Sequence, residues 1–139
     1  FYRNLNDYPS AEKSFQRTIK ISQKFLQKNP DNPKIINHLA GAHGNLSFSL
    51  LFDKRFKEAE DHAEKGLELD PTQEWIQTNL ASAHLFQGNF EQASEIYLTF
   101  RDQPLNDKTF REMFLEDLDA LEKAGVTHPD IQKARELLQ

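Results

Sequence analysis

The chain repeats itself at an offset of 34 residues. Asn45-Leu46 reappears as Asn79-Leu80, Leu51-Phe52 as Leu85-Phe86, Phe56 as Phe90 and Ala59 as Ala93, while Glu95 answers Asp61 with the same charge. Such a period is too short for a domain and too long for a single helix. Each copy must therefore be a supersecondary unit that buries its apolar side only against its neighbours. Apolar residues within each copy recur at three and four and strand-type alternation is scarce, so the units are helix pairs.

Punctuation places the helices. The first is expected from about Ser10 to Lys28, with Ala11, Phe15, Thr18, Ser22, Phe25 and Leu26 on one face and Lys13, Arg17, Lys20, Lys24 and Lys28 opposite. Asn29-Pro30-Asp31 ends it, because proline cannot continue a helix. Asn32 caps the second helix, with Pro33 at the first helical position, and this helix reads to about Asp53. The third spans Phe56 to about Leu69. The fourth is expected from about Thr72 to Gln87, with Asp70 and Gln73 as a capping box and Gly88 as a left-handed stop. The fifth runs from Phe90 to about Asp102 and the sixth from about Asp107 to Ala124, before Gly125. A short seventh helix follows Thr127 and Pro129.

A period of 34 with a long helix, a short turn and a second helix resembles the tetratricopeptide repeat, whose pattern is W-x2-L-G-x2-Y, then A-x3-F, then a closing Pro. One unit offers His43, Leu46, Ser47, Leu50, Ala59, Ala63 and Pro71; the next offers Gln77, Leu80, Ala81, His84, Ala93 and Tyr97, with Pro104 one residue early. Both lack the family's aromatic start and keep a small residue in place of its Gly. The long connections are similar to the longer kinesin-light-chain-type variant. The resemblance implies an all-α fold, a right-handed superhelical stack of antiparallel helix pairs with about seven helices. It divides residues 1–139, one domain, into the second helix of a truncated repeat (10–32), two repeats (33–71 and 72–105) and a degenerate repeat or cap (106–139). Leu46, Leu50, Ala59, Leu80, Ala83, Ala93 and Tyr97 are the expected interior. The chain starts at Phe1 and is expected to be a piece of a longer protein.

Two helices carry a second apolar side, unusual for surface helices. On the second, Gly41, Gly44, Phe48 and Phe52 lie opposite Leu39, His43, Leu46 and Leu50, with Asn45 among them. Glycine within a helix costs about 1 kcal/mol relative to alanine, so something approaches the backbone there. On the fourth, Trp75, Asn79, Ser82 and Phe86 share one side. Either these sides form a ligand groove or neighbouring helices pack against them. The resemblance implies the groove, since that family binds peptides along its front helices. The candidate partner-binding residues are thus Asn45, Phe48, Phe52, Trp75, Asn79, Ser82 and Phe86, whose amides can pair with a peptide backbone and whose rings supply apolar area. The family's cationic clamp for a terminal carboxylate finds no match: Gly41, Gly44, Trp75, Thr78 and Asn79 occupy the places where its cations belong.

Composition closes off other chemistry. With no cysteine, disulfide scaffolds, thiolate metal sites and thiol catalysis are excluded. A net charge of -5 argues against a general nucleic-acid binder, and no apolar run approaches a membrane span. His38, His43, His62, His84 and His128 form no metal-ligand spacing, and no nucleophile or phosphate-loop motif occurs, so neither a metal, a cofactor nor a catalytic residue is expected. Residues 1–28 hold six bases and two acids, residues 102–139 nine acids and five bases. The Lys13–Lys28 stripe is a solvated face or a contact with an acidic partner. The expected function is a non-enzymatic module that binds a peptide or partner domain. The alternatives are a structural spacer or self-association element, or a regulatory appendage of a larger protein.

Overall fold

The computed structural model describes residues 8–139. Seven helices and one small hairpin follow in chain order: α1 (Tyr8–Lys28), α2 (Pro33–Phe52), α3 (Phe56–Leu69), α4 (Ile76–Phe86), α5 (Phe90–Phe100), β1 (Pro104–Leu105), β2 (Lys108–Thr109), α6 (Phe110–Lys123) and α7 (Ile131–Leu137). Each of the first five helices packs on the next, α4 returns to touch α2, and α6 and α7 close over α4 and α5. The architecture is an all-α stack of helix pairs.

Local chemistry sets most of the ends. The Asn32 side chain accepts from the Lys34 and Ile35 amides at 3.0 and 3.3 Å, so α2 starts where the Asn-Pro pair points. Gly88, at φ +82°, ends the turn after α4 in the left-handed region open to glycine. The start of α4 differs from expectation by four residues. Asp70 accepts from the Thr72 amide and hydroxyl, and Gln73 donates to Asp70 and to the Asn37 carbonyl at 2.8 Å. These bonds tie the segment back to α2 instead of capping a helix. The span expected to run straight into the sixth helix holds the β1–β2 hairpin, with Asn106 at φ 59° in its two-residue loop and Thr109 capping α6.

The core is continuous from α1 to α7. Leu46, Leu50, Ala59, Ala83, Ala93 and Tyr97 are buried as expected, whereas Leu80 is only half-buried. Ala59 is small because α2 and α3 approach closely there: the Ser47 hydroxyl donates to its carbonyl at 2.6 Å. Phe110, Phe114, Leu118 and Leu121 of α6 bring the hairpin and α6 into the same core, with Phe114 edge-on to Tyr97 at 4.9 Å.

Candidate functional site

The joint between α2 and α4 positions everything around it. Gly44 leaves bare backbone where a Cβ would lie 2.6 Å from Trp75 Cη2 and 2.8 Å from Ile76 Cγ1. Gly66 of α3 does the same, with Ile76 Cδ1 at 3.0 Å. The Ile76 side chain thus fills a notch between two glycines, which is why helix-weakening residues stand in these helices. The Asn79 amide donates to the Gly44 carbonyl at 3.0 Å across the joint. Trp75 Nε1 donates to Gln73 Oε1 at 3.2 Å, which holds the indole beside the tip of the preceding turn.

This arrangement corrects the sequence-based site at five positions. Phe48, Phe52, Asn79, Ser82 and Phe86 were expected to be accessible and are buried. Phe48 and Phe52 meet edge to face at 5.0 Å, and Phe86 stacks on Phe56 at 5.2 Å. The second apolar side of α2 and α4 is spent on packing, because these front helices have neighbours on both sides. Asn79 uses its amide to join two helices, and its burial keeps it from a peptide backbone. Asn45 and Trp75 remain half-buried and border an open cleft.

That cleft, of about 440 Å³, lies between α2, α4, the hairpin and α6. Asn45, Gly41, Gln73, Trp75 and Thr78 line one side; Leu105, Asn106 and Met113 line the other. No charged side chain is among them. Three carboxamides, from Asn45, Gln73 and Asn106, alternate with apolar surface, and the buried oxygen of the Asn45 carboxamide has no hydrogen-bond partner among the described residues. Sequence reading missed the far wall because the hairpin was not foreseen. The Asn106-Asp107 pair was the available turn signal, but the two-residue strands beside it show no alternation.

Titratable groups cluster elsewhere. His43 Nδ1 lies 2.9 Å from His62 Nδ1, with the rings stacked at 5.1 Å. The two are 19 residues apart on different helices, so spacing along one helix could not pair them. Burial, then the neighbouring His62 and Lys65, pushes the His43 imidazolium down to about 4. Burial lowers His62 as well, against the pull of Glu58 and Asp61. Glu60 accepts from Gln87 at 2.7 Å and from Lys57 at 3.1 Å, and His84 Nδ1 stands 3.6 Å away. Glu60, Asp61 and Glu64 bring carboxylate oxygens within 4.8 Å of one another, and Lys57 pairs with the first two. None of these groups opens into the cleft. Among the described residues no helix is long and apolar enough to cross a membrane.

Comparison with known proteins agrees with this geometry. Residues 50–108 match the tetratricopeptide repeat family model, a segment running from the last residues of α2 through α3, α4 and α5 to the hairpin. No curated protein and no solved structure matches the chain. Members of this family generally mediate protein–protein contacts and are generally not enzymes. Over residues 50–108 the chain is thus similar to tetratricopeptide-repeat proteins.

Proposed function

We propose that the chain is an interaction module that takes an extended, uncharged peptide segment into the cleft between α2, α4 and the β1–β2 hairpin. The observation that carries this is the lining: carboxamides of Asn45, Gln73 and Asn106 set among Trp75, Leu105 and Met113, without a charged group. Carboxamides both donate and accept, as a peptide backbone does, and the apolar groups between them suit small or apolar side chains. A ligand held by a carboxylate would need a cation here, and the cleft has none. On this reading residues 33–71 and 72–105 are the two repeats that build the near wall. Residues 106–139 supply the far wall and the closing layer. The greater length of α1 and α2, 21 and 20 residues against 11 for α4, supports the longer repeat variant for the first pair.

A peptide array read with the 139-residue chain tests it. Binders should be neutral segments. They should lose about tenfold or more in affinity for Leu105→Arg, which places a charge in the wall. Asn106→Gly, which keeps the left-handed turn and removes one carboxamide, should weaken them by less. An array populated only by acidic peptides, or binders indifferent to Leu105→Arg, would sink the reading.

A further inference from the structure

The outer side of α1 carries apolar surface that no described element covers. Ile21 and Phe25 are 48% and 56% exposed, and the remaining large exposed apolar residue among those described is Leu98, on α5. The two are neighbours on one helix face. With Thr18 of α1 and Ile35 and His38 of α2 they border a groove of about 440 Å³ along the α1–α2 pair. Thr18 and His38 also belong to a second hollow that continues the groove to Ala42 and Asn45. Its course from Ile35 to Asn45 spans ten residues of α2, about 15 Å at the helical rise.

The molecule itself shows what such a face receives. One repeat later, α4 lies on α2 and α3 with Ile76 in the glycine notch and the Asn79 amide on the Gly44 carbonyl. Thirty-four residues earlier in the sequence stand Ala42 and Asn45, on the side of α2 that borders the groove. The Asn45 carboxamide makes no hydrogen bond among the described residues, and its oxygen is buried. A helix laid beside α2, as α2 lies beside α4, would give the Asn45 carboxamide nitrogen a carbonyl to donate to, as Gly44 does for Asn79, and a side-chain donor on that helix would meet the buried oxygen. Ala42 in place of an isoleucine leaves room for a larger side chain from the incoming helix.

Charge narrows the occupant. Arg17, Lys24 and Lys28 are exposed beside Ile21 and Phe25 on α1, and Lys34 borders the groove from α2. None of the four makes an ion pair among the described residues. We propose that the α1–α2 groove is a docking site for an amphipathic α-helix of a partner protein, apolar on one side and acidic along its edges. The acidic helix of a second copy is a poorer fit. The apolar side of α6 is already buried through Phe110, Phe114, Leu118 and Leu121, and offering it would mean unfolding the donor. The far end of this groove adjoins the peptide cleft, with which it shares Gly41, Asn45 and Gln73. Its Ile21 and Phe25 end shares no residue with the cleft, so variants there test it independently.

The probe is a fluorescein-labelled synthetic helix of ~18 residues, long enough to hold its fold, with Leu and Ala on one side and Glu on both flanks. Titrated with the 139-residue chain, it should bind saturably and weaken as salt is raised. Ile21→Asp with Phe25→Asp, and separately Lys24→Glu with Lys28→Glu, should each weaken it by about tenfold or more. These positions are exposed, so unchanged melting curves will show that the variants fold. Leu105→Arg should leave binding intact. Several outcomes overturn the proposal. They are no saturable binding, equal binding of the same helix with Lys in place of Glu, and binding unaffected at Ile21 and Phe25. The fourth is light scattering that shows a dimer lost in those variants, which would give the face to a second copy. If Leu105→Arg alone abolishes binding, the helix occupies the cleft, and this proposal fails while the cleft stands as a binding site.

Discussion

The two ends of the stack treat their outermost apolar surface in opposite ways. At the far end, α6 and α7 fold over α5, and Phe114, Leu118, Leu121, Ile131, Ala134 and Leu138 are all buried. Several cations there are paired: Arg101 and Arg111 donate to the Leu137 and Leu138 carbonyls at 2.7 and 2.6 Å, Arg111 also pairs with Asp102, and Arg135 pairs with Asp119 and Glu122. At the near end, Ile21 and Phe25 face outward, and the cations beside them make no ion pair among the described residues. A helical stack needs its terminal layer made polar or covered. The far end achieves this with α6 and α7; at the near end no described element covers Ile21 and Phe25. The difference separates a surface kept for stability from one kept for contact.

The sharpest way to break that contrast is to truncate one aromatic at each end. Phe114→Ala removes a buried ring against Tyr97 and should cost about 3–5 kcal/mol, read as a lowered denaturation midpoint. Phe25→Ala at the open end should stay within about 0.5 kcal/mol. Equal losses would mean that the near end is as closed as the far one. The joint between the ends comes next. Gly44→Ala drives a methyl into Trp75 and Ile76 and should cost about 1–3 kcal/mol. Gly41→Ala, whose methyl would find only Gln73 Oε1 at 3.4 Å, should be neutral or gain a few tenths from helix propensity. Asn79→Ala removes the bond across the joint, although the Gly44 carbonyl keeps its place in the helix ladder, and should cost about 0.5–1.5 kcal/mol in a urea melt. The expectation from sequence, weaker partner binding at unchanged stability, belongs to an exposed Asn79.

A comparable effect comes from the buried histidines beside the joint. With the folded His43 held near 4, below its unfolded value of 6.5, protonation favours the unfolded chain. At neutral pH both states are neutral and the pair contributes nothing to pH dependence. Stability should fall as pH drops from about 6.5 toward 4, by an amount on the order of 1–2 kcal/mol, and level off below. Other groups titrate in the same window, so the comparison is with His43→Gln, whose melting temperature should decline less steeply between pH 6.5 and 4. Parallel curves would remove the histidine from the explanation.

Much of this architecture was legible in the sequence because it is written in local chemistry. Asn32-Pro33, Gly88 and Gly125 mark ends that depend on neighbouring residues alone, and the period of 34 fixes the pairing. What could not be read depends on contacts across the chain. The fourth helix starts late because Gln73 reaches Asn37, 36 residues away. The hairpin has only two residues on each strand, too few to show a period. The site was half-read for a related reason. Periodicity finds that α2 and α4 have two apolar sides, but it has no way to say which side meets a neighbour. Asn45 and Trp75 lie at the edge of that contact and stay accessible; Phe48, Asn79 and Phe86 lie within it.

The notch formed by Gly44 and Gly66 around Ile76 also limits how the cleft can change its width. With two bare backbones on one side and a single branched side chain on the other, the contact has no compressible layer. Drawing α4 away from α2 would empty the notch, and pushing it closer would meet main-chain atoms. Rotation about Ile76 would keep the notch filled, so a change in the width of the cleft is expected as a swing of α4 and not as a translation. A ligand bound at Leu105 and Asn106, far from the pivot, has the longer lever arm. The hairpin tip is therefore where an occupant can turn the second repeat against the first.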